Sequence, residues 1–98
     1  MGTPEFVSVE TAESVLRQRW TPGIRAVDLA QALLSECSAV SAIVFIAAFR
    51  RAFDIPIATM TRAQNWQGRA PHPLALSDEG FDELLAPWMK SGPVTRSE

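Results

Sequence analysis

The chain has 98 residues, 47% of them hydrophobic and 20% charged, with a formal net charge of −2. That is the make-up of one ordinary globular domain, large enough to bury somewhat over ~60% of its unfolded surface without disulfide or metal staples. The slight negative charge argues against a general nucleic-acid binder, which needs clustered Lys and Arg. Cys37 is the single cysteine, so no internal disulfide can form and a reducing cytoplasm is the expected compartment.

The opening residues 1–6 read as a cloning remnant, because restriction sites often translate as Gly-Thr and Glu-Phe, and the domain is expected over 7–90. A first helix is predicted over about 9–20: Val9, Ala12, Leu16 and Trp20 recur at helical spacing, and Ser8 is placed to cap it. Glu13 and Arg17 stand four apart in the favourable order. Trp20 is expected to anchor the corner before Thr21, Pro22 and Gly23. The second helix, about 24–36, carries a broad apolar face from Ala26, Val27, Leu29, Ala30, Leu33 and Leu34. Cys37 then fills a corner, with no cationic cluster beside it to lower its pKa.

The stretch 38–53 organises the rest. From Ala39 to Phe49 only Ser41 is polar, so as a helix it is apolar on every side and has to be surrounded by others. Several alanines and the pair Arg50–Arg51 at its end favour helix over strand. Ser38 is the expected cap. The run is too short to span a bilayer, which needs ~20 residues, so no membrane role is expected. After it, Asp54 is read as a cap and Pro56 as a first-turn residue of a mixed helix over 55–66, closed by Gly68. On that helix Thr59, Arg62 and Asn65 point away from the apolar edge.

The residues Phe53-Asp54-Ile55-Pro56-Ile57-Ala58-Thr59 with Trp66-Gln67-Gly68-Arg69 and Pro71 resemble the helix-turn-helix of phage-repressor-type regulators and antitoxins. The interval from Thr59 to Trp66 is about one helical turn longer than in that family, and Gln67 stands where the family has an acid. The resemblance implies that Thr59, Arg62 and Asn65 face the major groove, with Arg69 near a phosphate.

Residues 69–76 read as an irregular connection, with Pro71 and Pro73 flanking His72, the one histidine. A hydrolase built on Cys37 and His72 lacks anything in sequence to orient the base or hold an oxyanion. No metal-ligand cluster or cofactor motif is present, so neither metal nor cofactor is expected. The last helix begins at a Ser77 cap, with Leu76 and Phe81 at the spacing of a hydrophobic staple and four acids, Asp78, Glu79, Asp82 and Glu83, in its first turns. Pro87 is expected to stop or bend it, Trp88 and Met89 to form a closing turn, and 91–98 to be a flexible tail.

The expectation is thus an all-α protein, a single compact bundle of about five helices around the buried helix 38–53. In function it reads as a non-catalytic protein-interaction or regulatory module of adaptor, inhibitor or immunity type. The expected partner surfaces are Thr59, Arg62, Asn65 and Arg69, and the acidic group Asp78, Glu79, Asp82 and Glu83. They would serve another protein or self-association. The alternative is a helix-turn-helix DNA-binding regulator using the helix 55–66.

Overall fold

Ser8 is extended and its Oγ accepts a hydrogen bond from the Thr11 N–H, which satisfies one free donor and starts α1, Val9–Arg19. Ala12, Glu13 and Leu16 form its buried face. The helix ends at Trp20, whose indole Nε1 donates to the Met89 carbonyl at 3.0 Å, so this residue does anchor the corner. Gly23 then turns the chain with φ +87, a region closed to most side chains. These relations come from a computed structural model that describes residues 7–37, 40–66 and 75–94.

The next helix, α2 (Ala26–Glu36), has Arg25 at its cap position and no side-chain cap of its own. Ala26, Val27, Leu29, Ala30 and Leu33 are buried along it, and Cys37 is buried just beyond. The central helix is α3, Ala42–Phe53, which packs against α1 and α4. It starts later than the sequence suggests. Ser41, not Ser38, is the cap, its Oγ accepting from the Val44 N–H at 3.2 Å; Ser38 and Ala39 lie outside the described residues.

The burial of α3 also differs from a helix hidden on all sides. Phe45, Ala48, Phe49, Ala52 and Phe53 are buried, while Ile43 is 77% exposed and Val44, Ile46 and Ala47 are half-buried. The large rings set the phase: Phe45, Phe49 and Phe53 lie four apart on one stripe, and directing that stripe inward turns Ile43 out.

Asp54 ends α3 in the left-handed conformation (φ 60), and Ile55 is buried at the turn. Asp54 therefore closes one helix instead of capping the next, and Pro56 is the cap residue of α4, Ile57–Ala63. This helix is shorter than the expected 55–66. Beyond it Trp66 is buried and forms an isolated bridge with Leu76, where the Leu76 N–H donates to the Asn65 carbonyl at 2.9 Å. The expected end at Gly68 and the connection carrying His72 lie outside the described residues.

Ser77 caps α5, Asp78–Ser91, by accepting from the Gly80 N–H. Pro87 neither stops it nor leaves Trp88 and Met89 as a separate turn. Proline removes one backbone donor and so releases the carbonyl of Glu83. Both Pro87 and Glu83 are exposed, so the loss falls on the wet side of the helix. On its dry side Met89 is buried and its carbonyl is held by Trp20. Of the expected tail 91–98, the structure describes residues 91–94. Ser91 is helical, Gly92 is buried with φ +81 and a Cβ there would come within 3.0 Å of the Trp20 ring. The Val94 N–H then donates to the Ala52 carbonyl at 2.7 Å.

The protein is therefore all-α, a bundle of five helices with no strand among the described residues. At its centre Phe81 of α5 meets Phe45 and Phe49 of α3 at ring-centroid distances of 6.3 and 6.4 Å and stacks on Trp66 at 4.8 Å. Truncating a ring at such a junction removes apolar contact and leaves a cavity. Phe81→Ala is expected to lose about 3–5 kcal/mol in urea unfolding, and Phe81→Leu markedly less.

Candidate functional site

The helix α4 turns only Met60 and Ala63 into the core. Once those two face inward, helical geometry fixes the rest: Ile57, Ala58, Thr61 and Arg62 fall on one outward stripe, and each is exposed, Ile57 by 57%. Of the residues singled out from sequence, Arg62 belongs to this stripe, and Asn65 is exposed in the turn that follows the helix. Thr59 does not; it is half-buried at the helix's other flank. Arg69 lies outside the described residues. Ile57, Ala58 and Thr61 are the positions that sequence reading missed. The signal available was the apolar pair Met60 and Ala63, three apart, whose burial sets the helix's inward side.

The acids of α5 do not act as a set. Asp78 accepts from the Trp66 indole Nε1 at 2.7 Å. Asp82 accepts from the Val27 N–H and from Arg25 Nε, both at 2.7 Å, and thereby supplies the cap that α2 lacks. Its hydrogen bond and charge hold the Arg25 guanidinium above its ordinary pKa. Glu79 and Glu83 remain exposed. Glu83 lines a shallow hollow of about 290 Å³ together with Arg62, Leu76, Gly80 and Leu84, without an ion pair between Glu83 and Arg62.

Among the described residues, Arg17, Arg19, Arg25 and Arg51 are likewise engaged within the fold. Glu13, buried on α1, takes Arg17 Nε at 3.0 Å and lies 3.1 Å from Arg51 Nε, although that N–H is not aligned to form a hydrogen bond. Arg17 also donates to the carbonyls of Val94 and Arg51. Arg51 is 3.7 Å from Glu10, and Arg19 pairs with Glu36. Among the described residues Arg50, Arg62 and Lys90 are exposed cations outside these pairs.

Cys37 is buried, and loss of solvation together with the nearby Glu36 charge pushes its thiol pKa up. A raised pKa leaves less thiolate at neutral pH, the reverse of an activated nucleophile. His72 falls outside the described residues, as does any pairing of it with Cys37. Among the described residues no group of three His, Cys, Asp or Glu could hold a metal ion, and no helix is long and apolar enough to cross a membrane.

Two measurements separate structural from available groups. Asp82→Ala is expected to lower unfolding free energy by about 0.5–2 kcal/mol through loss of the α2 cap, whereas Glu79→Ala and Glu83→Ala each stay within about 0.5 kcal/mol. In the native protein Cys37 is expected to react with a thiol reagent far more slowly than a free cysteine, and to reach the free rate in denaturant. Compared with known proteins, the chain matches no family model, no curated protein and no solved structure.

Proposed function

We propose that the chain is a small non-catalytic interaction or regulatory module, of adaptor, inhibitor or immunity type, that meets a partner protein through the outward stripe of α4. The observation that carries this reading is the composition of that stripe. Ile57 and Ala58 offer apolar area, Thr61, with Asn65 in the turn that follows, offers adaptable hydrogen bonding, and Arg62 with Glu83 in the same hollow offers a charge of each sign. An apolar centre edged by polar and charged groups is the usual make-up of a protein-binding patch. Among the described residues, burial of Cys37 raises its thiol pKa and Asp78 and Asp82 are held within the fold, which supports a binding role over catalysis. The lone thiol fits a reducing compartment such as the cytoplasm.

A second reading, a helix-turn-helix regulator, is favoured by the turn at 54–56, where left-handed Asp54 and buried Ile55 lead directly into an outward-facing helix. In that reading α4 enters the major groove with Arg62 and Asn65 toward the bases. Electrostatics favour the protein partner. Arg17, Arg19, Arg25 and Arg51 are paired with carboxylates, which leaves few cations among the described residues to neutralise phosphates.

The test is to recover co-purifying proteins and nucleic acid from the source cell, then to measure binding of the purified partner to wild type, Ile57→Asp and Arg62→Glu. Both variants are expected to weaken association at least about tenfold while unfolding at the wild-type urea midpoint. Equal binding by Ile57→Asp would remove α4 from the interface. Tight binding to random duplex at low salt that collapses as salt rises would replace this reading with the DNA one.

A further inference from the structure

We propose that the cleft between the turn at 23–26 and the second half of α5 binds a small monocarboxylate with an apolar tail, independently of the α4 surface. The cleft encloses about 420 Å³, at the small end of the ~300–1,000 Å³ typical of ligand pockets. Its walls are mainly the apolar side chains of Ile24, Ala26, Ala86 and Met89, with Arg25, Asp82 and Lys90 supplying the polar groups.

The hollow has an identifiable origin. Asp82, Ala86, Met89 and Lys90 lie along one face of α5, a trough of about 12 Å at helical rise. Ala86 near its middle presents only a methyl group. Opposite it the wall is the turn at Gly23, whose positive φ keeps a side chain away. A tail lying over Ala86 would cover the half-buried Ile24 and Ala86, with the already buried Ala26 and Met89 forming the floor.

Charge selects the head group. The carboxylate of Asp82 is already matched by Arg25 and by the Val27 N–H. Lys90 has no ion-pair partner among the described residues and is exposed. Of the cleft's own lining groups Lys90 is therefore the one cation without an ion pair, while Asp28 and Asp78 act from outside the lining on Arg25. A cation so placed beside an apolar trough suits an anion over a cation or a neutral chain, with the Lys90 ammonium donating to the carboxylate.

The experiment titrates the protein with octanoate, octanol and octylamine and follows the methyl resonances of Met89 and the remote, buried Met60. Octanoate is expected to shift Met89 saturably and leave Met60 in place, with octanol weaker and octylamine weakest. Lys90→Glu, an exposed substitution, is expected to weaken octanoate binding by about fivefold. Ala86→Leu, which fills the trough, is expected to abolish it in a protein whose circular dichroism is unchanged. If Ala86→Leu fails to fold, Lys90→Glu alone decides. Unsaturable shifts, octylamine binding as tightly as octanoate, or undiminished octanoate binding by Lys90→Glu would each overturn the assignment.

Discussion

The fold depends on the contact of one ring with several others. Phe81 stands where α3, the segment after α4 and α5 come together, touching Phe45, Phe49 and Trp66. No neighbouring pair of these segments in sequence could bury that much aromatic surface alone. Burial of large rings is the main favourable term available to a chain of this size, and tilted or offset arrangements add a little specificity to it. Because the rings come from separated segments, α5 has to dock for the aromatic stripe of α3 to be covered. The direction of that stripe in turn decides that Ile43 faces water.

Polar groups then fix the arrangement that the rings favour. Asp78 is oriented by the Trp66 indole and Asp82 by the open end of α2. An uncapped helix start is a poor thing to place against a neighbour, because its N–H groups lose water without gaining partners. Here the missing acceptor arrives from a residue far along the chain. On the other side, Glu13 gathers Arg17 and Arg51, joining α1 to α3. Removing one partner of such a group leaves an uncompensated charge, so its members hold one another in place.

These facts explain what the sequence could and could not disclose. Helix-forming spacing and the caps Ser8 and Ser77 are local, and both act as caps in the structure. Ser38 and Ser41 are equally good caps by residue type, and nothing local chooses between them; in the structure Ser41 Oγ accepts from the Val44 N–H. The role of Asp82 is invisible locally because its partner is distant in sequence, and in sequence alone it looks like any acid in a first helical turn. Pro87 follows the same logic. Its local rule predicts a break, but the packed and hydrogen-bonded Met89 on the far side carries the helix through. For the α4 surface, Arg62 and Asn65 were legible from the mixed pattern. Thr59 was misplaced because the phase of so short a helix is set by which two residues, Met60 and Ala63, the core accepts.

Finally, Val94 forms a clasp between distant parts of the chain, receiving Arg17 at its carbonyl and giving its N–H to Ala52. Arg17 and Val94 stand 77 positions apart, so this clasp closes one of the longest loops in the fold. Contacts of such separation form more slowly than those within a helix, and the clasp is therefore expected among the later ones to lock.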